Sequence, residues 1–169
     1  YSRSGYAKEH YTDWVPILCE AQTYAQKQGS HIIGNIASNT IVGWIKLAKV
    51  MNECGIQLVE LNYQCPHPTD YKGPTEGNWI AQDPNVTAEL TRRILEEVDI
   101  KVMVKLTPEA HNLTSIAKAA HDAGADSVAV NSRFVGFAVN VEKAEPYIGG
   151  VAGIGGPWVK YMTLRWIHE

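Results

Sequence analysis

Four short apolar runs in this sequence each end in a polar side chain. Leu58-Val59-Glu60-Leu61 runs into Asn62-Tyr63-Gln64-Cys65-Pro66-His67, and Val102-Met103-Val104 into Lys105. Val128-Ala129-Val130 leads to Asn131-Ser132, and Ile32-Ile33-Gly34 to Asn35. An amide both donates and accepts hydrogen bonds, so Asn62 and Asn131 suit the imide-like edge of a ring. Lys105 is a cation that can stabilise charge developing on a bound group. Alternatively it is a Schiff-base nucleophile activated by burial. The competing reading makes the asparagines turn formers, Ser132 an ordinary turn serine and Lys105 a solvated strand end. Gly153-Ile154-Gly155-Gly156 precedes Pro157, where main-chain N–H groups at a helix start can meet a phosphate or sugar-chain oxygen. Gly149-Gly150 is the competing register.

The elements that must position these residues follow from periodicity and punctuation. Trp14, Ile17, Leu18, Ala21 and Ala25 have helical spacing, predicting a helix over 11–28 that begins near Pro16 with Thr12 or Asp13 as cap. A strand over 31–37 follows. Asn39 or Thr40 opens a second helix with Ile41, Trp44, Ile45, Ala48 and Met51 on one face, closed by Gly55. After the Asn62 strand, residues 66–82 form a long Pro- and Gly-rich loop, a candidate functional lid. Asp83-Pro84 reads as cap and first residue of a third helix, with Val86, Leu90, Ile94, Leu95 and Val98 inward. A strand over 101–106, a helix over 112–123 ended by Gly124 and a strand over 126–131 come next. Residues 132–156 read as irregular, and Pro157 opens a last helix carrying Val159, Met162, Leu164 and Ile167. Trp44, Trp158 and Trp166 fall on helices and read as core. The alternation implies βαβ units and an α/β fold with a parallel sheet. Four strands fit the middle of an eight-stranded barrel or a small doubly wound sheet. Such folds place chemistry past the carboxyl ends of their strands.

The chain has 169 residues, enough for one domain with a real core, and a net charge of −3. No basic excess points to nucleic acid, and no apolar stretch is long enough for a membrane span. Cys19, Cys54 and Cys65 form no CxxC pair, so neither a disulfide framework nor a zinc or iron–sulfur site is expected. A reducing, cytoplasmic setting is the expectation. The chain starts at Tyr1 rather than Met and stops at Glu169 inside an apparent helix, as a fragment would.

Several of these stretches together resemble one family. Glu60-Leu61-Asn62-Tyr63-Gln64-Cys65-Pro66-His67 is similar to the E-L-N-x-S-C-P-[HN] motif of the FMN-dependent dihydroorotate and dihydropyrimidine dehydrogenases. Val104-Lys105-Leu106-Thr107-Pro108 resembles their K-L-[TP]-P strand, and Ala123-Gly124-Ala125-Asp126 with Val130-Asn131-Ser132 resembles their G-A-D…N-[ST] strand. Gly153-Ile154-Gly155-Gly156 followed by Leu164-Arg165 is similar to their glycine turn and the helix after it. The motifs run in register from about residue 31 to 169, with a weaker match before.

The resemblance implies a (β/α)8 TIM barrel, of which residues 1–169 are a partial domain, with FMN lying across the strand ends. It implies Asn35, Asn62, Lys105, Asn131, Ser132, Gly153, Gly155 and Gly156 as FMN-binding residues, with Lys105 facing the N1–C2=O edge of the flavin. It implies a small cyclic substrate held by Asn62, Gln64 and Asn131. Some relatives have iron–sulfur or NAD(P)H-linked partner subunits; further chain, such a partner or a second copy is therefore expected here. The sequence departs from the family in one respect. Relatives use a Cys or Ser in the loop after this strand as general acid/base, expected near Ile80, but residues 66–82 contain neither. Gln64 also replaces the usual small serine. The substitute proton donors are His67 and Glu76, with Tyr71 as a further candidate; Thr69 and Thr75 have no evident activating base. The rival functions are a non-catalytic flavin-binding or structural subunit and a lyase using Lys105.

Overall fold

The computed structural model describes residues 10–64, 80–130, 132–147 and 149–169. His67, Tyr71, Glu76 and Asn131 lie outside the described residues. The architecture is α/β. Helix α1 (Tyr11–Lys27) precedes strand β1 (Ile33–Ile36), and helix α2 (Ile41–Glu53) leads to β2 (Leu58–Asn62). Helix α3 (Pro84–Leu95) precedes β3 (Lys101–Lys105), and α4 (Leu113–Asp122) precedes β4 (Ser127–Ala129). The four strands form one parallel sheet in sequential order, β1-β2-β3-β4.

Burial alternates along the strands. Gly34, Ile36, Val59, Leu61, Val102 and Val104 are buried and share one core with Trp44, Ala48 and Met51 of α2, Leu90 and Ile94 of α3, and Leu113, Ile116 and Ala120 of α4. The helices therefore cover one face of the sheet, and the intervening strand residues point to the other face. Sequential strand order with helices on one face differs from a doubly wound sheet, whose order reverses.

Three helix starts are capped by side-chain oxygens, two of them, Thr40 and Asp83, among the caps the sequence offered. Thr40 accepts from the Gly43 N–H, Asp83 from Asn85 and Val86, and Asn112 from Ser115. Gly55 ends α2 with φ of 76°, while the Ile56 N–H returns to the Met51 carbonyl.

Five expectations need correction. The first helix starts at Tyr11 with His10 as its N-cap, and Pro16 sits inside it. Thr12 and Pro16 are both exposed, so water can satisfy the carbonyl that Pro16 cannot bond. Cys19 and Cys54 form a disulfide between α1 and the C-cap of α2, with Cα atoms 4.6 Å apart. On α3 the fully buried partners of Leu90 and Ile94 are Thr87 and Thr91, while Val86, Leu95 and Val98 are only partly buried. Residues 132–156 contain two small antiparallel ladders: β5 (Phe134–Gly136) with β8 (Ala152–Ile154), and β6 (Val139–Asn140) with β7 (Glu145–Pro146). The pairing of two or three residues leaves too little alternation to read from sequence. Finally, Pro157 opens a 3-10 turn (Pro157–Val159) before α5 (Lys160–His168). Leu164 and Ile167 of α5 are exposed, and Trp166 is the residue that packs toward the core. Trp44 is fully buried, whereas Trp158 is exposed.

Two predictions follow from this packing. A Cβ added at Gly34 would stand 2.8 Å from the Met51 sulfur, so any larger residue on β1 must displace the Met51 side chain of α2. Gly34→Val is expected to destabilise the protein by about 1–3 kcal/mol through overpacking, read as a lower denaturation midpoint. Cys19 and Cys54 are expected to resist alkylation until reductant is added, checked by peptide mass mapping with and without it.

Candidate functional site

The uncovered face of the sheet gathers polar side chains toward the carboxyl ends of β1, β2 and β3. Register places Asn35 beside Glu60, and Asn62 beside Lys105. The side-chain period of two keeps Glu60 and Asn62 on the same face. Lys105 Nζ lies 3.2 Å from Glu60 Oε1, with the two side chains 24% and 18% exposed. The Asn35 amide donates to the same Glu60 oxygen. Asn62 Nδ2 donates to Asn35 Oδ1 at 3.5 Å. This leaves Asn62 Oδ1 buried without a partner. A carboxylate, an ammonium and two amides from three strands thus form one connected cluster.

Gln64, just past β2, is 1% exposed and is bonded to the segment after β4. Its Nε2 donates to the Arg133 carbonyl at 3.0 Å, while its Oε1 is a second buried acceptor without a partner. Ser132 is half-buried beside Arg133. The glycines after it contact the same arginine. A Cβ at Gly153, within β8, would come 3.1 Å from Arg133 Nε, and one at Gly155 would come 3.7 Å from its Cγ. Gly156 has φ of 154° and caps the 3-10 turn. Here the glycines admit the Arg133 side chain against the main chain, a reason for glycine that the sequence pattern alone does not disclose.

Tyr63 and Ile80 are both bonded to α3. The fully buried Tyr63 hydroxyl lies 3.0 Å from Thr91 Oγ1, which donates to the Thr87 carbonyl at 2.7 Å. Thr91 has one hydroxyl proton and spends it on Thr87, so Tyr63 is the donor to Thr91. Thr87 Oγ1 in turn donates to the Ile80 carbonyl at 2.5 Å. Ile80, near which a family acid/base residue is expected, is fully buried in the core. Trp44 meets Tyr63 edge-on at 5.4 Å.

The structure thus brings together Asn35, Asn62 and Lys105 around Glu60, and it ties Gln64 to Arg133, the residue that packs against Gly153 and Gly155. His67, Glu76 and Asn131 fall outside the described residues. Sequence reasoning missed Glu60 as a site residue. The signal was available: Glu60 lies two residues before Asn62 on one strand, and alternation puts both on one face. Arg133 had no comparable signal. Among the described residues, no group of three or more His, Cys, Asp or Glu is arranged to hold a metal, and no helix is long and apolar enough to cross a membrane.

Chemically, the cluster offers a cation, amide donors and two unpaired buried acceptors, Asn62 Oδ1 and Gln64 Oε1. Buried acceptors of this kind are costly unless an N–H reaches them. A heterocycle with alternating carbonyl and N–H groups at its edge supplies that complement. The donor set therefore fits the pyrimidine-like edge of a flavin or of a cyclic substrate.

Comparison with known proteins bears on the same residues. A family model described as dihydroorotate dehydrogenase matches residues 13–169. The chain is 33% identical over 155 residues to the catalytic subunit of dihydroorotate dehydrogenase B (NAD(+)) from Anoxybacillus flavithermus, covering 90% of this chain and 48% of that protein. The same subunit from Bacillus cytotoxicus is 31% identical over 140 residues, covering 82% of this chain and 44% of the relative; that from Bacillus mycoides gives the same figures. The chain spans about half the length of the curated relatives it matches.

Burial raises the Tyr63 pKa well above the ordinary value of 10.0. The folded state therefore keeps a proton that an unfolded chain releases near pH 10. Stability from this group is full below about pH 10 and declines as the pH rises beyond it. Tyr63→Phe is expected to flatten that alkaline decline, measured by denaturation midpoints between about pH 8 and 11. Thr91→Val, which leaves the buried phenol without its acceptor, is expected to cost about 1–3 kcal/mol of stability by the same assay.

Proposed function

The chain belongs to the dihydroorotate dehydrogenase family, and from that premise we propose that it is the central part of an FMN-dependent oxidoreductase acting on a CH–CH bond of a small cyclic, dihydropyrimidine-type substrate. The observation that carries the reading is the Asn35–Glu60–Asn62–Lys105 cluster at the ends of three adjacent parallel strands. Sequential strand order and one-sided helices favour an arc of a (β/α)8 barrel, with the polar face turned to the barrel mouth.

Lys105 and the amides of Asn35 and Asn62 would hold the FMN ring edge, and FMN, when bound, supplies the two-electron acceptor that the protein itself lacks. Lys105 presents its positive charge where negative charge accumulates during the reaction. In a half-buried site such a charge is worth more than in water. Asn62 also offers its unpaired carbonyl oxygen to an N–H of ring or substrate. Gln64 fixes its amide on the Arg133 carbonyl, which orients its free oxygen toward the same use. Asn131 and Ser132 are further amide and hydroxyl candidates, and Gly153, Gly155 and Gly156 are the candidates that would receive the phosphate end. His67 and Glu76 are the proton-handling candidates, since a C–H bond cannot be oxidised without a group to take its neighbour's proton. The Schiff-base reading of Lys105 is less well supported, because it needs a neutral amine in apolar surroundings and Lys105 faces the Glu60 carboxylate.

The printed names of the relatives describe catalytic subunits of NAD(+)-linked enzymes. They support a partner subunit that carries electrons onward.

The test is an absorption spectrum of the full-length protein, followed by acid release and identification of the chromophore. FMN should be released, and dihydroorotate or a related dihydropyrimidine should bleach the bound flavin. Lys105→Met is expected to slow that bleaching by about 10²–10³-fold. His67→Ala and Glu76→Ala should separate the proton acceptor from the bystander by the pH dependence of the bleaching rate. A colourless protein that takes up no FMN would overturn the reading.

A further inference from the structure

Among the described residues, Glu60 is the only carboxylate in the connected cluster, and it lies at the cluster's centre. One oxygen, Oε1, receives both the Lys105 ammonium at 3.2 Å and the Asn35 amide. It stands on β2 between Asn35 of β1 and Met103 of β3, one pleat before the Asn62–Lys105 pair. Neither member of the ion pair is free in solvent, with side-chain exposures of 18% for Glu60 and 24% for Lys105. Salt therefore screens their attraction less than it would on an open surface. The positive charge that Lys105 offers to a bound ring is already shared with a fixed negative one.

We propose that Glu60 is a positioning residue that sets the electron affinity of the bound flavin by sharing the Lys105 ammonium and holding the Asn35 amide beside it. This rests on the flavin reading above and deepens it. A reduced flavin carries more negative charge at its N1–C2=O edge than an oxidised one. A lysine compensated by Glu60 favours the reduced ring less than an uncompensated lysine does. Glu60 thus holds the potential down, and it fixes where the ammonium stands. Glu60→Gln keeps an oxygen for both donors but removes the charge, which isolates the electrostatic part of the role.

The experiment uses the full-length, FMN-loaded protein and measures the flavin midpoint potential and the dissociation constant of the sulfite adduct at flavin N5. For Glu60→Gln, reduced FMN should be held about tenfold more tightly relative to oxidised FMN, a midpoint about 30 mV more positive for a two-electron couple. The sulfite dissociation constant should fall by about the same factor, since the adduct also places negative charge at N1–C2=O. In a Lys105→Met background the Glu60→Gln shift should shrink markedly, because Glu60 acts through that lysine. A shift of undiminished size without Lys105 would make Glu60 a bare charge and overturn the positioning role. An unchanged potential in flavin-loaded Glu60→Gln would overturn the proposal while leaving the flavin reading intact. Glu60→Met, close in shape and uncharged, must shift the potential in the same direction. If neither variant holds FMN while the wild-type protein does, Glu60 is structural and the proposal fails. Failure of the wild-type protein itself to take up FMN would instead remove the flavin reading.

Discussion

Alternation along three strands in parallel register is the constraint on which the rest of the structure depends. Val59, Leu61, Val102 and Val104 are fully buried under the helices. A residue between them, or one step past them, has no choice but the opposite face. Glu60, Asn62 and Lys105 take those positions, and register then places Asn35 beside Glu60 and Lys105 beside Asn62. A slip of one residue on β2 would bury a carboxylate and an amide among valines and expose the core. The hydrophobic core and the polar cluster are therefore two consequences of one register.

The cluster also shows how charge is kept on a sheet face. An isolated ammonium at partial burial is costly, and Glu60 offsets it at 3.2 Å. The amides extend this pairing to β1, where Asn35 bonds both Glu60 and Asn62. What stays unmatched is two acceptors, Asn62 Oδ1 and Gln64 Oε1. Native proteins rarely leave such groups without a partner. The charges are satisfied within the cluster, and the two acceptors are not.

Much of this was legible from sequence. Asn62 and Lys105 announce themselves because an abrupt polar residue after an apolar run marks a strand exit. Thr40 and Asp83 are caps whose chemistry is local, and both were readable. Glu60 was harder to see because it lies within the strand, where parity must be counted before a carboxylate is recognised as facing the site. Thr87 and Thr91 escaped because apolar periodicity overlooks hydroxyls, although both are fully buried and bonded. The Cys19–Cys54 bridge joins residues 35 apart. It depends on α1 packing against α2, which no spacing rule encodes. The short ladders of 134–154 rest on pairings too brief to leave a pattern.

The Tyr63–Thr91–Thr87–Ile80 chain has an evolutionary consequence. Its hydroxyls pin the residues on either side of 65–79 to one helix. The chain ends entering and leaving that stretch are thus set by α3 and the core rather than by the stretch itself. Substitutions between those anchors can accumulate with little effect on the parallel sheet. A lineage can then vary the intervening sequence without rebuilding the scaffold. The hydroxyl anchors separate what must be inherited from what is open to trial.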